Sequence, residues 1–97
     1  MRVIAKKILR EFWDKHTDSE QQLKTWYKEA SNAKWSSPND IKNEYARAGI
    51  IGEHRVVFDI CGNKYRLIVK INYERQWVFI RFIGTHKEYD NVDAKNI

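Results

Sequence analysis

Arg55-Val56-Val57-Phe58-Asp59-Ile60-Cys61-Gly62-Asn63-Lys64-Tyr65-Arg66-Leu67-Ile68-Val69-Lys70 consists of two β-rich runs around a two-residue turn signal. Glycine at the first turn position suits a type II′ hairpin, because glycine takes the required positive φ without a Cβ clash. Closing the hairpin at Cys61 and Lys64 pairs residue 60 with 65, 59 with 66, 57 with 68 and 55 with 70. Strand side chains alternate between faces. One face therefore carries Val56, Phe58, Ile60, Tyr65, Leu67, Val69 and Ile71, and is predicted to be core. The other carries Arg55, Val57, Asp59, Lys64, Arg66, Ile68 and Lys70, and is predicted to face water or a ligand.

Downstream, a turn at Glu74-Arg75 brings back a third strand. Its Val78, Ile80 and Phe82 match the core parity, which leaves Trp77, Phe79, Arg81 and Ile83 on the basic face and sets Ile83 opposite Arg66. Upstream, Arg2 to Ala5 reads as a short strand. Ile8, Leu9, Phe12 and Trp13 then recur at helical spacing. Thr17-Asp18-Ser19-Glu20 has the form of a capping box. It opens a second helix with the stripe Leu23, Trp26, Tyr27, Ala30 and Ala33, so the two helices form a hairpin. Trp13 and Trp26 lie in these stripes and read as core rather than as stacking platforms. Ser37-Pro38-Asn39-Asp40 starts a short third helix carrying Ile41 and Tyr45. Helices first and sheet second is an α+β order.

The 97 residues suit one domain spanning 1–97, and 42% apolar with 13% aromatic residues is enough for a folded core. The longest apolar runs, such as Trp77-Val78-Phe79-Ile80, fall far short of the ~20 residues that span a bilayer. Val3-Ile4-Ala5 before Lys6-Lys7 is too short for a secretory signal, so the chain is expected to act in the cytoplasm. Cys61 has no disulfide partner, and with three scattered histidines no metal-ligand spacing arises, so neither metal nor cofactor is expected. The net charge of +5 suggests a polyanionic partner. Arg55, Lys64, Arg66, Lys70, Arg75 and Arg81 face only Asp59 and Glu74 between His54 and Gly84, so the excess lies in the sheet.

Cations interleaved with Trp77 and Phe79 are what single-stranded nucleic acid uses, charge for phosphates and rings for bases. The plain alternative is a solvated face that happens to be basic. After the strand, Gly84 ends the pattern, and Thr85 with Glu88 forms a further capping-box signal. His86 and Tyr89 then project from one side of a helical turn whose start attracts anions, beside Arg66. A cation, an imidazole and a phenol are the parts for phosphodiester chemistry: a base, an acid and charge for the transition state. The competing readings are an Arg66–Asp59 cross-strand pair, a surface His86 and a packing Tyr89. His16, in the helix linker, and His54, with core parity, are left out.

Arg55-Val56-Val57-Phe58, Gly62-Asn63-Lys64-Tyr65-Arg66-Leu67 and Arg81-Phe82-Ile83-Gly84-Thr85-His86-Lys87-Glu88-Tyr89-Asp90 closely resemble HigB toxins of bacterial toxin–antitoxin modules, in the RelE superfamily. The resemblance implies a RelE-like fold. That fold has a short N-terminal strand, a helical hairpin packed on one sheet face, a three-stranded antiparallel meander and a short C-terminal helix. It leaves open which sheet edge the first strand joins. It further implies a metal-independent endoribonuclease that cuts messenger RNA in the ribosomal A site. Its partners would be the ribosome, the message and a HigA-like helix-turn-helix antitoxin that brings it to operator DNA.

Residue by residue, the resemblance gives Arg66 to the scissile phosphate and His86 and Tyr89 to proton transfer, with base and acid unassigned between them. Arg55, Lys64, Lys70, Trp77, Arg81 and Lys87 are then the candidate RNA-binding side chains. Arg55 and Lys64 only approximate lysines that some relatives carry. Two rivals remain: a non-enzymatic toxin of this fold that blocks DNA gyrase, and a plain RNA-binding module.

Overall fold

A computed structural model describes residues 1–97. The elements are β1 (Arg2–Ile4), α1 (Lys6–Lys15), a 3-10 turn (Thr17–Ser19), α2 (Glu20–Asn32), α3 (Pro38–Glu44), β2 (Gly49–Ile51), β3 (Arg55–Ile60), β4 (Tyr65–Asn72), β5 (Trp77–Thr85) and α4 (His86–Tyr89). The strands form one five-stranded sheet in the order β1-β5-β4-β3-β2. The α+β class and the RelE-like element order stand, and the expected three-stranded meander gains a strand at each edge. β1 joins parallel to β5, with Arg2 opposite Trp77 and Ile4 opposite Phe79. β2 pairs antiparallel with β3, Gly49 opposite Val57. Three residues are too few for alternation to be seen, so β2 has no sequence signature.

The β3–β4 hairpin has the predicted register, with Asp59 opposite Arg66, Ile60 opposite Tyr65 and Arg55 opposite Lys70. Gly62 takes a φ of +71°, as the turn requires, and Cys61 is also left-handed at +55°. Cys61 is held there from α2: its backbone N–H donates to Gln22 Oε1 at 2.7 Å.

β4 and β5 start in the predicted register, Asn72 opposite Trp77 and Val69 opposite Ile80, and then slip. A bulge leaves Arg81 unpaired, so Ile68 faces Phe82, Leu67 faces Ile83 and Arg66 faces Gly84. One extra residue reverses the faces of everything beyond it. Phe82 therefore leaves the core parity, Ile83 packs against the core, and Arg66 lies opposite Gly84 instead of Ile83.

Leu9 and Trp13 of α1 and Leu23, Trp26 and Ala30 of α2 pack on Val56, Phe58, Leu67, Val69 and Val78 of the sheet. Two expected caps take other forms. At Thr17–Glu20 no side chain caps α2, because Asp18 reaches out to Lys64 and Tyr65 and the Ser19 hydroxyl donates to the His16 carbonyl. At α3, Asp40 accepts from the backbone and hydroxyl of Ser36 instead of Ser37 capping the helix.

The second sheet face is not the open surface the alternation predicts. Val57 and Ile68 are buried there, apart from the main core. α4 starts beside Arg66, whereas the Ile97 carbonyl accepts from Arg55 Nε at 2.9 Å, and Arg55 lies opposite Lys70. The chain after α4 thus crosses the face between Arg66 and Lys70. Ile68→Ala should behave as a core truncation, costing about 2–5 kcal/mol in urea unfolding, where an exposed position would lose a few tenths.

Candidate active site

Arg66 projects from β4 and is bonded through Nη1 to Asp59 Oδ1 of β3. The two side chains are only 16% and 18% exposed, so most of the pair is shielded from water. The guanidinium carbon lies 5.5 Å from the centre of the Tyr89 ring, and that ring lies 6.5 Å from the His86 ring. Asp90 Oδ2 stands 3.4 Å from His86 Nδ1. The structure thus brings Arg66, His86 and Tyr89 together, and it also contains the Arg66–Asp59 pair that was the competing reading. The two coexist because a guanidinium has five donors and a carboxylate at one end leaves the others free.

α4 holds this geometry with a complete capping box. The Thr85 hydroxyl accepts from the Glu88 backbone at 3.1 Å, and Glu88 Oε1 accepts from the Thr85 backbone at 2.9 Å. The His86 N–H donates to the Lys64 carbonyl at 3.0 Å, which ties the turn to the start of β4. Gly84 is required for close approach: a Cβ there would lie 2.5 Å from the Phe82 ring and 3.2 Å from the capping oxygen of Glu88. With four residues, α4 has little macrodipole. The positive charge at this site comes from arginine, not from a helix end.

The other expected contacts divide in space. Lys64 is paired with Asp18, whose second oxygen accepts from the Tyr65 hydroxyl at 2.7 Å. That pairing raises the Lys64 ammonium and holds the Asp18 carboxyl below its usual range. Arg55 is engaged with Ile97. Lys87 is exposed on α4. Lys70 and Arg81, with Phe79, line a cavity of about 690 Å³ that also contains His54. His54 therefore lies beside Lys70 with a half-exposed ring instead of entering the core. Lys70 is four residues along β4 from Arg66, about 13 Å away. Trp77 lies farther still, with its ring under Arg75 at 5.3 Å.

One residue of the site escaped the sequence reading. Arg47, from the α3–β2 connection, places Nη2 3.6 Å from Asp59 Oδ2 with its side chain 73% exposed. A loop arginine outside any periodic segment carries no signal in one sequence.

The family whose model matches residues 19–92 is the HigB toxin, described as the RelE-like toxic component of a toxin–antitoxin system. The chain belongs to the HigB toxin family. It is 26% identical over 93 residues to the mRNA interferase toxin HigB of Escherichia coli K12, spanning 93% of this chain and 88% of that one. The mRNA interferase HigB of Shigella flexneri is likewise 26% identical over 93 residues, with the same 93% and 88% shares. That of Escherichia coli O6:H1 is 24% identical over 94 residues, spanning 95% and 91%. No helix is long and apolar enough to cross a membrane.

The cap on α4 is sensitive to acid. The Thr85 backbone and hydroxyl hold the Glu88 carboxyl below its usual range. Its folded-state value is depressed, so it contributes stability above the ordinary glutamate pKa of about 4.3 that is lost as pH falls through the lower folded value. The stability gap between wild type and Glu88→Gln, measured by thermal unfolding, should be open at pH 6 and close progressively below pH ~4.

Proposed function

We propose that this chain is a metal-independent endoribonuclease that cuts translated messenger RNA in the ribosomal A site, with residues 1–97 acting as one domain. The observation that carries this reading is the Arg66 guanidinium fixed by Asp59 against Tyr89, with His86 next in line. The printed names of the relatives, mRNA interferases, support it. Arg66, braced at one end, offers its remaining N–H groups to the scissile phosphate. The ribose 2′-oxygen attacks phosphorus and loses its proton to one of His86 and Tyr89. The bond to the 5′-oxygen breaks, and the other residue supplies that oxygen's proton. The products are a 2′,3′-cyclic phosphate and a 5′-hydroxyl. Asp90 beside Nδ1 leaves His86 Nε2 as the nitrogen for substrate.

The flanking message is proposed to meet Lys87 near the cut, and Lys70, Arg81 and Trp77 at the far end of the face. Arg55 and Lys64 contribute less than their charge suggests, because each already has a partner. The expected restraint is a HigA-like helix-turn-helix antitoxin that carries the toxin to operator DNA, and the expected site of action is the cytoplasmic ribosome.

Induction of the gene followed by primer extension should reveal new messenger-RNA 5′ ends that depend on ribosomes. Gyrase inhibition with no new ends would establish the non-enzymatic rival, and binding without cutting would establish a plain RNA-binding module. Fragments ending in 3′-hydroxyl, or loss of cutting on chelation with intact ribosomes, would sink the mechanism.

Arg66→Ala separates the catalytic from the structural role of the arginine. Losing one partner of a shielded pair should cost about 1–3 kcal/mol, since Arg47 still faces the stranded Asp59. The cutting rate should fall by about 10²–10³. Arg66→Lys should recover only part of it, because an ammonium lacks the planar fork. Thermal unfolding and single-turnover cleavage on the same samples read the two effects apart.

A further inference from the structure

Asp59 is shared by two arginines that reach it from different parts of the chain. Arg66 bonds Oδ1 from β4, across the hairpin. Arg47 places Nη2 3.6 Å from Oδ2, from the α3–β2 connection. β2 covers β3 only from Arg55 to Val57, so beside Asp59 the edge of β3 has no neighbouring strand and a loop side chain can come close. That loop is tied down on both sides of Arg47. Lys42 Nζ donates to the Ala46 and Ala48 carbonyls, each at 2.8 Å, and the Ala48 N–H donates to the Tyr45 carbonyl at 2.9 Å. Ala48 is itself buried, so Arg47 extends from backbone that is fixed at its own neighbours.

Arg66 and Asp59 are shielded from water, whereas Arg47 is mostly exposed. An ion pair with one partner so open to solvent adds little to stability, so the contact has its main effect on the field around Arg66. A guanidinium bonded to one carboxylate is close to neutral as a pair. In a site that must stabilise negative charge developing on a phosphate, the carboxylate that aims Arg66 also repels the substrate. A second cation on its other oxygen answers that repulsion, and the three side chains together carry one net positive charge. No other cationic side chain lies within 4 Å of the Asp59 carboxylate, and Lys64 at the hairpin turn is held by Asp18.

We propose that Arg47 is a positioning residue for the cut. It takes up the second oxygen of Asp59, so that the carboxylate sets the direction of Arg66 without cancelling its charge. The proposal rests on the endonuclease reading and deepens it. Water leaves the site when message and ribosome close over it, screening falls, and the contact grows in strength at the stage where charge builds on the phosphate. The effect therefore falls on the chemical step more than on substrate affinity. An arginine that only held a message phosphate would act the other way: its loss would weaken binding, whatever residue stood at position 59.

Single-turnover cleavage of ribosome-bound message, followed over a range of toxin concentrations, separates the rate at saturation from the concentration at half-saturation. Arg47→Ala should lower the saturated rate about tenfold, with half-saturation changed less than about twofold. Its unfolding temperature should stay within about 3 °C of wild type. Arg47→Lys should recover most of the rate, because the role needs a charge and not a planar fork, in contrast with Arg66→Lys. Equal rates for Arg47→Lys and Arg47→Ala would overturn the charge role, even if Asp59→Asn failed to fold. Asp59→Asn supplies the deciding comparison, since it keeps an oxygen acceptor for Arg66 and removes the carboxylate charge. That variant should cut measurably but more slowly than wild type, and adding Arg47→Ala to it should change the rate less than about twofold. Equal losses from Arg47→Ala in both backgrounds, or a loss seen only in half-saturation, would make Arg47 an independent substrate contact and overturn the proposal. So would an Arg47→Ala variant that cuts like wild type, or a folded Asp59→Asn variant that cuts nothing, since the carboxylate would then do more than aim Arg66. Each of these leaves the endonuclease reading standing, because wild type cuts in the same assay; a wild type that cuts nothing removes both.

Discussion

Everything chemical in this molecule depends on the register of the β3–β4 hairpin. A strand has a period of two, so a slip of one residue would send Arg66 and Asp59 into the helical core and bring Phe58 and Leu67 to the surface. The register is pinned at three levels. The turn needs left-handed backbone at Cys61 and Gly62, the helices accept only the apolar face, and Asp59 meets Arg66 across the strands. The ion pair is thus both a product of the register and a lock on it. Its energetic value is secondary to the direction it gives one guanidinium, since shielded pairs add little net stability over an apolar replacement.

The fold was legible wherever a period or a turn signal ran long enough. The hairpin, both long helices and the capping box at Thr85 and Glu88 all follow from spacing. The bulge at Arg81 was not legible, because nothing in Val78-Phe79-Ile80-Arg81-Phe82-Ile83 says which residue the ladder omits. Its effect was confined to Phe82, Ile83 and the partner of Arg66. β2 was too short to show a pattern. The candidate site was readable as a set, Arg66 with His86 and Tyr89, but its supports were partly hidden. Asp59 was visible as a cross-strand partner. Arg47 was not, since only the folded path of the α3–β2 connection delivers it.

Charge counting alone would mislead here. The chain carries +5, yet Lys64 is answered by Asp18, Arg55 is occupied by a carbonyl, and Arg66 shares Asp59 with Arg47. On the sheet face and α4, Lys87 at one end and Lys70 and Arg81 at the other have no carboxylate partner. Val57 and Ile68 are buried between them, so the face is a pair of separate cationic stations and not a continuous basic plane.

The parallel pairing of β1 with β5 has a consequence for how the molecule comes into being. Val3 must wait for Val78, its partner 75 positions later, before that edge of the sheet can close. Contacts of such long separation form late, because the loop entropy is lost before the contact repays it. Tyr89, against which Arg66 is set, is made later still. A nascent chain that has emerged only as far as β4 therefore has neither a finished sheet nor an assembled site. Synthesis order alone leaves the closing of the sheet edge and the setting of Tyr89 against Arg66 to the last stretch of chain.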